Sequence, residues 1–289
     1  MKLVRFDGHK IGLVRDRMVI DVSDLAGAEA DERPPVAMNR LIANFASYRP
    51  KLEAALSHPG KPLDSVKLLT PVPAASKVIA YPVNYHDHGV EMGQSYRANN
   101  QGFFLKPPSS LSGASEAIVL PALPDRRIDH ECELAIVIGK QGRGVPAAQW
   151  RDYVFGYSCL IDVVVRGKEE RVARKGFDTF CPVGPWIVTA DELGDPAALR
   201  GRLWVNDELR QDANTRDLVL DIPGMIEAAS AVMTLYPGDI IAAGTPAGVG
   251  PIKDGDKVKI EFERIGSMTL DVVRGNGGNA SFFAAAQPG

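Results

Sequence analysis

Asp129-His130-Glu131-Cys132-Glu133-Leu134-Ala135-Ile136-Val137-Ile138-Gly139 is a very apolar strand that begins with two glutamates one residue apart. Side chains alternate along a strand, so Glu131 and Glu133 share one face and Cys132 takes the other. Two like charges side by side repel, and either full solvation or a cation between them relieves the repulsion. The local pattern leaves both readings open, a solvated strand end or a metal pair.

A third carboxylate lies downstream in a similar setting. Asp162 interrupts Tyr157-Ser158-Cys159-Leu160-Ile161-Asp162-Val163-Val164-Val165. If buried among such neighbours, it has to be ion-paired, hydrogen-bonded or bound to a metal. Three carboxylates without clustered histidine or cysteine form a hard donor set, suited to Mg²⁺ or Mn²⁺, with Ca²⁺ also compatible, rather than to zinc.

Around this stretch most of the chain reads as strand. Further β-branched runs bounded by Gly and Pro span 117–120, 153–165, 186–189, 203–206, 239–242, 257–262 and 268–273, with helical patterns at 86–92, 168–175 and 222–233. Strand and helix do not alternate regularly, which disfavours a Rossmann or barrel plan and predicts an α+β, mainly β fold with antiparallel or mixed sheets. Residues 1–22 form a small meander with turns at Asp7-Gly8 and Arg15-Asp16, and apolar spacing predicts helix from Val36 to Ala55, divided or ended at Pro50. The stiff segment Thr70-Pro71-Val72-Pro73 suggests two units, 1–72 and 73–289. The tail from Gly275 to Gly289 is rich in small residues and is expected to be poorly ordered.

Other residues can carry chemistry. On a helix His88 and Glu91 face the same way, so the glutamate can orient the imidazole as a general base; His86 points elsewhere. Lys106, Arg166 and Lys175 could each neutralise an anionic ligand, though any one of them also reads as a solvated charge. The three cysteines have no CxxC spacing and read as core residues. A net charge of −3 gives no footing for nucleic acid, and no run of about 18 apolar residues reads as a membrane span. A small-molecule ligand and a cytoplasmic protein are expected.

In order along the chain, the motifs resemble those of the fumarylacetoacetate hydrolase family: Asn84-Tyr85-x-Asp87-His88-x-x-Glu91-Met92, Phe104-Leu-Lys-Pro-Pro, Asp129-x-Glu131-x-Glu133, Asp162, Lys175-x-Phe-Asp-Thr-Phe, Arg210-Gln-x-x-Asn-Thr215 and Gly244-Thr-Pro-Ala-Gly-Val-Gly250. The resemblance implies a rolled, layered catalytic β-domain behind a small N-terminal domain, commonly in a homodimer. It implies metal ligation by Glu131, Glu133 and Asp162 and cleavage of a carbon–carbon bond in an acylpyruvate or related β-diketo acid. His88 with Glu91 would activate water, Lys175 would stabilise the departing enolate, and Thr245 would contact substrate. An oxaloacetate-type decarboxylase, a hydroxymuconate-type isomerase and a non-catalytic oxo-acid binder are the alternatives. Two departures stand out. Tyr81-Pro82-Val83 replaces a glycine-containing entry to Asn84-Tyr85, and Glu169 stands where many members carry a substrate-contacting glutamine. A Glu169 facing the pocket would repel a second substrate carboxylate and favour a neutral or cationic tail.

Overall fold

The computed structural model describes residues 1–95, 97–278 and 283. At its centre the strand Cys132–Ile138 is buried along its whole length. Cys132, Leu134, Ile136 and Ile138 join one hydrophobic core, Ala135 and Val137 another. With both faces covered the strand reads as a continuous apolar run rather than an alternating one. Burying each large aliphatic side chain contributes about 1.5–3 kcal/mol, which offsets the cost of holding two carboxylates at the strand's start.

The fold is α+β and mainly β. Among the described residues the central sheet has twelve strands, in the order 61–62, 18–21, 10–15, 2–6, 181–189, 154–161, 132–138, 240–242, 78–80 and 104–106, with 68–69 and 111–112 pairing off the path. A five-stranded sheet (208–214, 200–205, 257–262, 266–274, 118–120) and a three-stranded one (164–165, 128–130, 250–251) accompany it. The meander turns as expected, Asp7 and Asp16 taking φ of 44° and 54°. Lys2–Phe6 then pairs antiparallel with Cys181–Thr189, so the central sheet runs across residue 72. Leu3, Leu13, Ile20, Met38, Leu41 and Leu52 pack in the same core as Ala135 and Val137. The N-terminal residues thus cover the apolar continuation of the face that carries the glutamates.

The helical stretch breaks at Asn44 and not at Pro50. Helices Ala37–Ala43 and Phe45–Ala55 flank Asn44, whose φ of −117° is non-helical and whose side-chain amide donates to the Arg40 carbonyl at 2.9 Å. Pro50 lies inside the second helix, which the buried Leu52 and Ala55 hold against the core despite the missing N–H. Several strands have no counterpart in the sequence reading, among them Val78–Ala80, Phe104–Lys106 and Glu208–Asn214. The last is ELRQDAN, a largely polar run in which Gln211 and Ala213 are the buried positions. Most of the tail expected to be poorly ordered lies outside the described residues. Among them, no helix is long and apolar enough to cross a membrane.

Candidate active site

Register brings the three carboxylates together. Cys132 pairs with Ile161, and the Asp162 N–H donates to the Glu131 carbonyl at 2.9 Å, so Asp162 leaves its strand beside the glutamate pair. One oxygen from each of Glu131, Glu133 and Asp162 falls within 4.8 Å of the others. All three residues are at most 5% exposed, which rules out the solvated strand end. Cys132 points the other way, into the core, as the alternation requires.

The charge balance around them is uneven. The Lys175 ammonium lies 2.7 Å from Glu131 Oε2 and 2.6 Å from Asp162 Oδ2, Lys106 is 2.6 Å from Asp162 Oδ1, and Arg166 is 3.1 Å from Glu131 Oε1. Burial alone would raise the Glu131 carboxyl, but Lys175 and Arg166 overcome it and hold it down to about 2. Burial likewise disfavours the Lys175 ammonium, yet Asp162 and Glu131 keep it above the usual lysine range. Glu133 is different. It accepts the Gly244 N–H at 2.7 Å, and among the described residues no cationic side chain lies within ion-pair distance. Burial and the carboxylates of Asp162 and Glu131 push it well above the carboxylate range. A buried carboxylate beside two others, short of a positive charge, is the environment a divalent cation relieves, and three carboxylate oxygens suit magnesium or manganese. The donor set fits such an ion.

These residues form the floor of a cavity of about 350 Å³ whose wall includes His88, Lys175 and Thr245. His88 and Glu91 come from the helix His86–Glu91, with His88 buried and His86 exposed. Glu91 Oε2 sits 3.2 Å from His88 Nδ1, and Glu91 Oε1 accepts the Gly248 N–H at 2.9 Å. A carboxylate on Nδ1 selects the Nδ1–H tautomer and leaves Nε2 as the free base. Asn84 fixes this segment to the glycine-rich turn by donating to the Ala243 carbonyl at 2.7 Å. Gly244 beside it has φ of 94°, and a Cβ there would lie 2.6 Å from that of Asn84, so the approach requires glycine. At the entry, Val83 takes φ of 52°, which costs a β-branched residue about 1–2 kcal/mol.

Gln211 is a residue whose role sequence reasoning missed, although its motif was in view. Its Oε1 accepts the Cys132 N–H at 2.9 Å and faces His130 Nδ1 at 3.1 Å, while its Nε2 donates to Thr245 Oγ1 at 2.8 Å and the Pro246 carbonyl at 3.0 Å. The Cys132 N–H can only donate and the Pro246 carbonyl can only accept, which fixes the amide orientation. Burial pushes His130 down to about 4, so it stays neutral and donates through Nδ1. The Thr245 hydroxyl, already accepting from Gln211, has its own proton left for the cavity.

The structure separates other expected residues from the cavity. Lys106 is 1% exposed and its ammonium is held by Asp162 and the Lys175 carbonyl, so it acts as a counter-charge behind the floor. Arg166 does reach the cavity wall, anchored by Asp129 at 2.6 Å. Glu169 does not line the cavity: both its oxygens are 2.8 Å from the Arg126 guanidinium. The expected repulsion of a second carboxylate therefore loses its source. Two arginines that the sequence reading passed over, Arg171 and Arg174, are on the wall instead.

The family model for the fumarylacetoacetate (FAA) hydrolase C-terminal region matches residues 77–273. The chain is 42% identical over 285 residues to a maleylpyruvate hydrolase of Aquipseudomonas alcaligenes, covering 94% of this chain and 99% of that one. A crystal structure of maleylpyruvate hydrolase from Sphingobium sp. SYK-6, in complex with manganese(II) ion and pyruvate, superimposes with a TM-score of 0.89 at 56% identity, covering 96% of this chain and 100% of that one. A 5-carboxymethyl-2-hydroxymuconate delta-isomerase from Mycobacterium smegmatis superimposes with a TM-score of 0.75 at 36% identity, covering 96% and 100%.

Proposed function

The chain belongs to the fumarylacetoacetate hydrolase family, and on that premise we propose that it is a divalent-metal-dependent hydrolase that splits a carbon–carbon bond in an acylpyruvate. The observation that carries this reading is the facing of two groups across one cavity: the buried triad Glu131, Glu133 and Asp162, and the His88–Glu91 dyad. A magnesium or manganese ion held by the three carboxylates would supply Lewis acidity to the 2-oxo acid end of the substrate.

The chain's own residues do the rest. The Thr245 hydroxyl donates to the substrate carboxylate, oriented by Gln211. His88 Nε2 takes a proton from water, and the resulting hydroxide adds to the distal carbonyl carbon. The carbon–carbon bond then breaks, its electron pair leaving with the pyruvate half as an enolate. The Lys175 ammonium at the wall stabilises that charge, and the proton held on His88 returns to the enolate carbon. One water is consumed, and a carboxylic acid and pyruvate result.

The test is turnover of acetylpyruvate and maleylpyruvate by the metal-stripped protein, with and without added Mn²⁺ or Mg²⁺, with product identification. Metal-dependent release of pyruvate and the matching acid is expected. An isomerised product with its carbon skeleton intact, or carbon dioxide from oxaloacetate alone, would overturn the hydrolase reading.

Gln211→Glu probes the hydroxyl. A carboxylate still accepts the Cys132 N–H but takes the Thr245 proton for itself, so KM is expected to rise about tenfold or more while metal affinity changes little. Thr245→Val should show a similar rise, and the double variant no more than either single one. Additive effects would mean that Gln211 does not act through Thr245.

A further inference from the structure

Arg171, Arg174 and Lys175 come from one short helix, Arg171–Lys175, where spacings of three and four residues put them on a common face. Lys175 reaches the carboxylate floor, and the two arginines continue along the cavity wall. The Arg171 guanidinium carbon stands 5.7 Å from the centroid of the Phe104 ring, which also lines the cavity. Arg174 donates from Nε to the Glu169 carbonyl at 2.7 Å and from a terminal nitrogen to the Val165 carbonyl at 3.4 Å. Among the described residues, no carboxylate lies within ion-pair distance of it. Glu169, five residues before Arg174, is instead clamped by Arg126. Arg166 adds a third guanidinium to the wall, but it is engaged by Asp129 and Glu131. One end of the cavity is therefore a carboxylate floor and another part of its wall is cationic.

Resting on the assignment of the 2-oxo acid end to that floor, we propose that Arg171 and Arg174 form a second anion site, which takes the distal carboxylate of a dicarboxylic acylpyruvate. Guanidinium groups suit a carboxylate because they offer paired donors in a plane. Burial, together with the neighbouring charges of Arg166 and Arg171, lowers Arg174 from the ordinary arginine range, in keeping with a cation cluster that an anion would complete. The arginines would then set substrate choice, favouring acyl chains that end in a carboxylate over neutral ones of equal length.

The experiment compares two six-carbon 2-oxo acids that are not β-diketones and are not cleaved: 2-oxoadipate, with a distal carboxylate, and 2-oxohexanoate, without one. Both are titrated calorimetrically into the full-length protein at saturating Mg²⁺. The wild type is expected to bind 2-oxoadipate about tenfold or more tightly than 2-oxohexanoate. R171Q and R174Q should each shrink the difference, and the double variant should abolish it, with 2-oxohexanoate affinity held within about twofold as the sign of an intact fold. R171E, placed on the more accessible end of the helix, should reverse the preference. Equal affinities in the wild type, or a preference that survives both substitutions, would overturn the proposal. An intact 2-oxoadipate preference without any pyruvate release from acylpyruvates would sink the hydrolase reading and leave the anion site standing.

Discussion

Replacing His88 by alanine is expected to lower kcat by about 10²- to 10⁴-fold, the range a positioned general base contributes, while the affinity for manganese stays as it was. The two halves of the outcome follow from geometry. His88 Nδ1 is engaged by Glu91, which leaves Nε2 as the basic atom, and the carboxylate oxygens grouped closely enough to hold a cation belong to Glu131, Glu133 and Asp162, not to the dyad. Glu91→Gln should cost less, because an amide keeps a hydrogen-bond acceptor for Nδ1–H but loses the negative charge that stabilises the imidazolium. Steady-state kinetics at saturating metal, paired with calorimetric manganese titration, separates the two effects. Unchanged turnover in His88→Ala would show that another group activates the water, and a matching loss of metal affinity would show that the imidazole is a ligand.

The second large effect concerns the floor. Adding manganese to the stripped protein at about 100 times its Kd stabilises the folded state by about 2.7 kcal/mol. For a chain of this size that corresponds to a rise in Tm of about 4–5 °C. Glu133→Gln should erase the rise and abolish metal-dependent turnover. It should also make the metal-free protein more stable than the wild type, because Glu133 is the carboxylate that burial and its neighbours Asp162 and Glu131 disfavour in charged form. The amide is neutral without taking up a proton, and its oxygen can still accept the Gly244 N–H. Thermal denaturation with and without Mn²⁺ reads both signs. A metal-free variant less stable than the wild type would mean that the carboxylate is paired by something other than a cation. A preserved manganese shift would remove Glu133 from the ligand set.

Much of the site was legible because its grammar is local. The alternation of strand side chains is enough to put Glu131 and Glu133 on one face and Cys132 on the other, and a helical step of three is enough to pair His88 with Glu91. The apolar runs around 132–138 and 157–165 announced buried strands, since strands covered on both faces carry little else. The same logic failed where polar residues dominate. Glu208–Asn214 gives no apolar signal, yet it delivers Gln211 to the backbone between Glu131 and Glu133 and to Thr245.

Sequence by itself determined the strand that builds the site, the parity of its glutamates, the hard character of the donor set and the dyad. Tertiary structure decided what faces each of these groups. Lys106, 56 residues from Asp162, became its counter-charge rather than a substrate contact. Glu169, 43 residues from Arg126, was turned out of the cavity, so that Arg171 and Arg174 and not Glu169 line its wall. The physical reason is the same in both cases. A periodicity of two or of three to four residues states which way a side chain points within its own element, whereas the energy of a charge depends on which other charges the fold carries to within a few ångströms of it.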